Sequence, residues 1–213
     1  MKSLCTQPYT SWTHRLARIM VRPLVGSMIT PNHLTTARLL TGLAASIAFA
    51  LGTHDGTIWG GVLWLLSCLL DRADGELARL GRLSSAGGHL YDYYCDVAVN
   101  GAVFAAIGWG LHNGSLGLWA PILGAFAGAA VVLASVLSER LENSGTTDGK
   151  AYAGILGFDF DDALYLLAPI AWLGGLPVIL IGAVIVSPIM AALTAWRCAR
   201  KRLWRQPRST ARS

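Results

Sequence analysis

Long apolar stretches alternate with short polar segments along most of the 213-residue chain. Each stretch approaches the roughly 20 residues that a helix needs to cross a bilayer. Clusters of Gly, Asn, Asp and Ser separate the stretches, as expected for turns. The pattern therefore predicts an all-α integral membrane protein. The six predicted transmembrane helices cover residues 34–52, 56–72, 90–111, 116–138, 159–175 and 177–196.

The chain divides into three predicted parts around this helical bundle. A cytoplasmic N-terminal segment covers residues 1–30, the six-helix transmembrane domain covers 31–198, and a basic cytoplasmic tail covers 199–213. Residues 10–24 alternate apolar and basic positions with a helical period and predict an amphipathic helix. Such a helix either lies in the lipid headgroup plane or docks against the bundle, and the sequence leaves both open.

Charge is scarce and unevenly distributed. Hydrophobic residues make up 54% and charged residues 14% of the chain, against roughly 25% charged in soluble domains, which argues against a soluble domain. All 17 Lys and Arg fall on one side of the predicted bundle, so the positive-inside rule places both termini in the cytoplasm. These residues are Lys2, Arg15, Arg18, Arg22, Arg38, Arg72, Arg79, Arg82, Arg140, Lys150, Arg197, Arg200, Lys201, Arg202, Arg205, Arg208 and Arg212.

Two other kinds of site are not expected from the pattern. The basic run at residues 197–212 is typical of a tail near anionic lipid headgroups, so no nucleic-acid partner is predicted. The four cysteines have no CxxC spacing, which argues against a disulfide or zinc framework.

Four aspartates are spaced so that they converge. Asp71 and Asp74 share one helix face at i, i+3, and Asp92 and Asp96 share another at i, i+4. A helical hairpin that turns at about residues 82–85 would bring all four carboxylates to one level. This level lies near the cytoplasmic interface of the predicted bundle.

A carboxylate cluster of this kind predicts a divalent cation. Unpaired carboxylates a few ångströms apart repel strongly near a low-dielectric membrane, and an all-oxygen set suits Mg²⁺, Mn²⁺ or Ca²⁺. Gly75, Ala78 and Gly88 would let a phosphorylated ligand approach closely, although small residues also serve tight helix packing. Arg79 offers a planar fork for phosphate oxygens. Helical phase turns Glu76 away from this face, so no ligand role is expected for it.

The spacing Asp71-x-x-Asp74-Gly75-x-x-Ala78-Arg79-x8-Gly88-x-x-x-Asp92-x-x-x-Asp96 resembles the signature of the CDP-alcohol phosphotransferase family, also called CDP-alcohol phosphatidyltransferases. Pro31-Asn32-x-x-Thr35 is similar to a second short stretch found in many members. The resemblance covers most of the chain. It implies a membrane transferase of phospholipid biosynthesis that moves a phosphoryl-alcohol unit from a CDP-alcohol to an acceptor hydroxyl and releases CMP.

The resemblance also implies roles for individual residues. The metal, as two Mg²⁺ or Mn²⁺ ions, would be held by Asp71, Asp74, Asp92 and Asp96. Asp96 would also be the general base. The CDP and phosphate groups would be bordered by Gly75, Ala78, Arg79, Gly88, Asn32 and Thr35.

The expected partners follow from the same resemblance. The donor would be CDP-diacylglycerol, with its tails among membrane lipids, and the protein would form a homodimer. Gly124-x-x-x-Gly128 would pack either at that dimer contact or against a neighbouring helix.

The acceptor remains open at the level of the sequence. Arg140 and Lys150 could bind a phosphorylated acceptor, whereas Asp159, Asp161 and Asp162 could attract an amine or simply begin the fifth helix. The string Asp-Gly-Glu-Leu-Ala-Arg is similar to members that handle inositol phosphates. An inositol-phosphate or other polyol-phosphate acceptor, and a soluble CDP-alcohol donor, are therefore alternatives.

Two alternatives of other classes use the same aspartates. A divalent-cation transporter would carry intramembrane acids near the bilayer midplane on several helices. Here the acids cluster at one interface. A non-catalytic lipid- or CDP-binding scaffold could dispense with Asp96, whose presence favours an enzyme.

Overall fold

The computed structural model describes residues 12–143 and 160–200, which are predominantly helical. Lys150, Asp159 and the tail from residue 201 lie outside the described residues, as do the side chains of Trp12, Asp161 and Asp162. Short 3-10 segments cover Arg22–Leu24 and Phe160–Leu166. The α-helices are α1 Trp12–Val21, α2 Pro31–Ala50, α3 His54–Leu80, α4 Ala86–Gly110, α5 Trp119–Glu142, α6 Leu167–Trp172 and α7 Leu176–Arg200.

The helix starts carry the local signals that the sequence provides. α2 begins at Pro31, whose fixed φ suits the first helical position. The side-chain oxygens of Thr53 and Ser85 accept hydrogen bonds of 3.0 Å from the backbone N–H groups of Gly56 and Gly88, which caps α3 and α4. These caps set where α3 and α4, the two helices that carry the aspartates, begin.

α2 is the central helix of the site-bearing half of the protein. It packs along both α3 and α4, whereas α3 and α4 make almost no direct contact with each other. The predicted turn is present between the end of α3 at Leu80 and the start of α4 at Ala86, but the two helices pack on α2 rather than along each other. The aspartates nevertheless reach a common level, since both helices pack on the same partner.

The remaining helices extend this arrangement on either side. α4 packs against α5, α5 packs against α7, and α3 also contacts α1 and α6. The main core is formed where these helices meet, around Phe49, Trp64, Val103, Ile107 and Leu180. A smaller apolar cluster of Val21, Ala73 and Leu77 joins α1 to the site-bearing end of α3.

Gly124 and Gly128 pack inside the chain. A Cβ added at Gly124 would lie 2.6 Å from the carbonyl oxygen of Phe104 and 2.8 Å from the Cα of Gly108. A Cβ at Gly128 would lie 2.6 Å from the carbonyl oxygen of Gly101. Both glycines thus serve the α4–α5 contact, which is the neighbouring-helix alternative. The homodimer stays a prediction, and Gly124-x-x-x-Gly128 no longer supports it.

Among the described residues, two helices are long and apolar enough to cross a membrane by length and composition, over Trp119–Leu141 and Leu176–Arg200. Ala163–Trp172 is a shorter apolar helix within the predicted fifth span. Large apolar side chains face outward on α5 and α7, as on a surface that meets lipid. They include Ile122, Phe126, Leu133, Ile181, Ile185 and Ile189. The all-helical fold is confirmed, and the six-span arrangement stays a prediction.

A helix forms within the predicted N-terminal segment, and it contacts α3. Its buried face consists of Thr13, His14, Ala17 and Val21. The apolar residues Leu16, Ile19 and Met20 are exposed instead. α1 therefore docks through Thr13, His14 and Ala17 together with the apolar Val21, and the larger apolar residues of its stripe remain on the outside.

Candidate functional site

Three of the four predicted aspartates meet between α3 and α4. Asp71, Asp92 and Asp96 each offer a carboxylate oxygen, and these three oxygens lie within 4.8 Å of one another. Oδ1 of Asp92 is buried and has no hydrogen-bond partner among the described residues. A buried oxygen of this kind costs free energy unless a hydrogen bond or a cation satisfies it.

Asp74 lies beside this group and is oriented by α2. The Thr35 hydroxyl donates a hydrogen bond of 2.6 Å to Oδ2 of Asp74. Asp74 is close enough for its charge to interact with those of Asp92 and Asp71. The structure thus brings all four predicted aspartates to one region and gives Thr35 a definite contact there, as the partner of Asp74.

The site contains an arginine that sequence reasoning counted only as a topological charge. Arg38 of α2 has a side chain that is 5% exposed, and its Nε lies 3.1 Å from Oδ1 of Asp71. Its Nη1 pairs with Oδ1 of Asp96. The signal that could have revealed it is an arginine inside an apolar span, which is costly unless acidic groups face it.

The donor set fits a divalent cation of the hard type. The four side chains supply only carboxylate oxygens, which are the ligands that Mg²⁺ and Mn²⁺ prefer. The buried oxygen of Asp92 points the same way. Arg38 supplies one positive charge among four carboxylates, so the cluster retains an excess of negative charge that a cation would offset.

Gly75 and Arg79 contact each other on α3, in the turns that follow Asp74. A Cβ added at Gly75 would lie 3.3 and 3.4 Å from Nη2 and Nη1 of Arg79, so the guanidinium folds back over this glycine. Nη2 of Arg79 is also 2.8 Å from Oε1 of Glu76. Glu76 faces α1, away from the aspartates, as its helical phase predicts. Its contact with Arg79 was not expected.

Gly88 and Asn32 lie together at the starts of α4 and α2. A Cβ at Gly88 would lie 3.3 Å from Oδ1 of Asn32, whose residue is exposed. The hydroxyl groups of Thr36 and Tyr91 are 2.9 Å apart nearby and connect the same two helices. Ala78 is half-buried, on α3. The residues predicted to border the donor thus line the starts of α2 and α4 and the last turns of α3.

The two predicted acceptor residues have different outcomes. Arg140 is exposed in the last turn of α5, where its charge interacts with Tyr93 of α4. No contact between Arg140 and the aspartates is seen in the described part of the chain. Lys150 lies outside the described residues.

Residues 28–199 match the family model for CDP-alcohol phosphatidyltransferases. This segment contains every described aspartate, arginine and glycine of the site. The chain belongs to the CDP-alcohol phosphatidyltransferase family. The resemblance seen in the Asp71–Asp96 signature is thereby confirmed over most of the chain.

Two relatives in this family are named as synthases of inositol-phosphate lipids. The chain is 35% identical over 99 residues to a phosphatidylinositol phosphate synthase of Corynebacterium glutamicum, covering 45% of this chain and 44% of that protein. It is 34% identical over 119 residues to an archaetidylinositol phosphate synthase of Pyrococcus horikoshii, covering 55% of this chain and 59% of that protein. The aligned segments thus span less than two thirds of either relative.

Two solved structures of the phosphatidylinositol phosphate synthase of Mycobacterium tuberculosis share the fold. The one with CDP-DAG bound is 20% identical, with a TM-score of 0.66, and covers 93% of this chain and 98% of that chain. The one in complex with manganese and citrate is 21% identical, with a TM-score of 0.63, and covers 94% and 93%. At this identity the likeness establishes the family fold for this chain.

Proposed function

We propose that this protein is a membrane CDP-alcohol phosphotransferase that transfers the phosphatidyl unit of CDP-diacylglycerol to a hydroxyl of an inositol phosphate and releases CMP. The observation that carries the proposal is the convergence of Asp71, Asp92 and Asp96, with Asp74 beside them. The names of the relatives support an inositol-phosphate acceptor. Family membership leaves the cation-transporter alternative without support.

In the proposed reaction, an acceptor oxygen attacks the phosphorus that carries diacylglycerol. The bond between this phosphorus and the oxygen that links it to CMP breaks, so CMP leaves with that oxygen. Two Mg²⁺ or Mn²⁺ ions, when bound, would supply positive charge for the oxygens that gain negative charge in this displacement. Asp71, Asp74, Asp92 and Asp96 would hold them.

The protein's own residues supply orientation and proton transfer. Asp96 takes the proton of the acceptor hydroxyl at Oδ2, because Oδ1 is paired with Arg38. Thr35 fixes the orientation of Asp74. Arg79 binds the donor diphosphate through its planar guanidinium, and Gly75, Ala78, Gly88 and Asn32 leave room for the CDP moiety.

The acceptor and the membrane position complete the proposal. Arg140 and Lys150 bind the phosphate of the acceptor, since cationic side chains suit a phosphorylated substrate. The six spans hold the site at the cytoplasmic interface, where CDP-diacylglycerol keeps its tails in the bilayer. Both termini lie on the same side.

The test is CMP release from CDP-diacylglycerol by the purified protein, with Mn²⁺ or EDTA and with inositol phosphate, inositol, glycerol phosphate or serine as acceptor. We expect metal-dependent release with inositol phosphate. Asp96→Asn should lose about 10²–10⁴-fold in turnover, the range for general-base catalysis, and still bind Mn²⁺. Asp55→Asn, at the far end of α3, is the matched control and should keep full activity.

Three outcomes would contradict the proposal. An active Asp71→Ala or Asp92→Ala protein would exclude the metal site. CMP release that needs no acceptor would identify a hydrolase. Transfer only to another acceptor would exclude inositol phosphate and leave the donor chemistry standing.

A further inference from the structure

A buried carboxylate outside the aspartate cluster links three elements of the protein. Glu76 of α3 is 0% exposed. Its Oε1 lies 3.1 Å from Nδ1 of His14 and 2.8 Å from Nη2 of Arg79, and its Oε2 accepts a hydrogen bond of 3.0 Å from Nε of Arg18. A buried carboxylate is strongly unfavourable unless it is paired in this way.

We propose that Glu76 is a positioning residue for the donor, which holds Arg79 in place and couples that place to the docking of α1. The inference rests on the proposed function, in which Arg79 binds the diphosphate of the CDP-alcohol. It assigns a role to Glu76 and α1 that the aspartate signature does not contain.

The contacts of Arg79 favour one fixed side-chain conformation over a mobile one. Its side chain is 40% exposed, and a long arginine of this exposure would sample many rotamers. Here Glu76 fixes Nη2, and the guanidinium plane lies against Gly75. An ordinary surface ion pair orders little because both partners move. In this pair Glu76 is held in place by burial, so its contact with Arg79 restricts the rotamers of the arginine.

The contact with α1 has a defined polarity. Nη1 of Arg72 lies 3.5 Å from Nε2 of His14, and arginine can only donate hydrogen bonds. Nε2 of His14 is therefore the acceptor, and Nδ1–H donates to Oε1 of Glu76. Burial and the charge of Arg72 lower the pKa of His14, which favours this neutral form.

The groups around Glu76 agree with this arrangement. The guanidinium groups of Arg79 and Arg18 can only donate hydrogen bonds, so both oxygens of Glu76 act as acceptors. The carboxylate thus holds one guanidinium from α1 and one from α3.

The contact between Glu76 and Arg79 could also have the opposite effect and weaken donor binding. If Glu76 merely neutralised Arg79 and kept it from the donor, removing the carboxylate would strengthen donor binding. The two accounts predict opposite changes in the KM for CDP-diacylglycerol, which makes the sign of the change decisive.

The experiment is a double-mutant cycle on the full-length protein, with the KM for CDP-diacylglycerol and kcat measured separately. Glu76→Gln and Arg79→Gln should each raise the donor KM, Glu76→Gln by about ten-fold, with a smaller change in kcat. Glu76→Gln should add nothing in the Arg79→Gln background, because it acts only through that arginine. Mn²⁺ affinity should not change.

The coupling to α1 is tested by a matched pair of variants. Arg18→Gln should raise the donor KM by a few-fold, since it removes the charged one of the two α1 contacts to Glu76 and leaves the Glu76–Arg79 pair. Arg15→Gln makes the same charge change on an exposed residue of α1 and should have no effect. Should Glu76→Gln not fold, the Arg18 and Arg15 pair carries the test.

The outcomes separate this inference from the proposed function. If Arg79→Gln raises the donor KM and Glu76→Gln does not, or the two effects add, the positioning role is wrong while the function stands. Equal KM values for the Arg18 and Arg15 variants would overturn the coupling to α1. If Arg79→Gln leaves the KM unchanged, the donor role of Arg79 is wrong and this inference fails with it.

Discussion

At the scale of single residues, Arg38 determines how the aspartate cluster is balanced. Its guanidinium lies between Asp71 of α3 and Asp96 of α4, in contact with both. Removing one partner of a buried ion pair is far more costly than the pair is stabilising, because the remaining charges lose their counterion. Arg38 and a bound cation would therefore both offset the negative charge of the same aspartates.

We predict that Arg38→Met destabilises the protein most strongly without metal. Thermal unfolding in one detergent should show a Tm about 5–10 °C lower than wild type in EDTA, from the loss of a buried partner. The deficit should shrink in Mn²⁺, because the cation then offsets the carboxylate charge. Arg15→Met is the matched control and should change neither value. An equal deficit with and without Mn²⁺ would show that Arg38 acts through packing alone.

The sequence could predict the aspartates but not their arginine. The i, i+3 and i, i+4 spacings fix which carboxylates share a helix face, and the predicted turn at about residues 82–85 places the two pairs at one level. The partner of Arg38 lies on other helices, and periodicity within α2 carries no information about them. Glu76 is a similar case, since its phase excludes the aspartate face but does not reveal His14 across 62 residues of chain.

At the scale of helices, glycine sets the distance between α4 and α5. Gly108 and Gly124 face each other so closely that a Cβ on either would lie within 3 Å of the other's Cα. Close backbone approach through small residues is the usual way for helices to pack where apolar burial gives little drive. The contact positions α4, and α4 carries Asp92 and Asp96.

We predict that Gly124→Ala lowers stability by about 1–3 kcal/mol, the usual cost of overpacking. The loss should not depend on protein concentration, because the contact lies within one chain. Gly182→Ala on α7 is the matched control, since nothing lies within 4 Å of the added Cβ, and it should be neutral. Thermal unfolding at two protein concentrations checks both. Loss of a dimer without loss of monomer stability would contradict the intrachain assignment.

Helix order explains which element-level predictions succeeded. The helical stretches were visible because apolar runs and caps are local features. The turn at residues 81–85 was predicted, but the packing of both helices on α2 was not, because a short turn does not say which third helix fills the groove beside them. For α1, the periodicity showed one apolar and one basic stripe, but the structure docks it through Thr13, His14, Ala17 and Val21. Small size and hydrogen bonding decided that contact.

At the scale of the whole molecule, charge and apolar surface are segregated. Every Lys and Arg falls on one predicted side of the bundle. The outward residues of α5 and α7 are largely apolar. The turn between α3 and α4 and the turn between α4 and α5 lie at opposite ends of α4. If α4 crosses the membrane, these turns lie on opposite sides, and the arginines assign the first to the cytoplasm.

We predict this orientation from labelling of single cysteines in cells, in a background with Cys5, Cys68, Cys95 and Cys198 replaced by serine. A membrane-impermeant maleimide should label Asn113→Cys, between α4 and α5, in intact cells. It should label Ser84→Cys, between α3 and α4, only after permeabilisation, because that turn lies on the arginine-rich side. Both positions are exposed, so a difference in labelling reports sidedness rather than burial. The reverse pattern would place the aspartates on the outer side, and equal labelling in intact cells would mean that α4 does not cross the membrane.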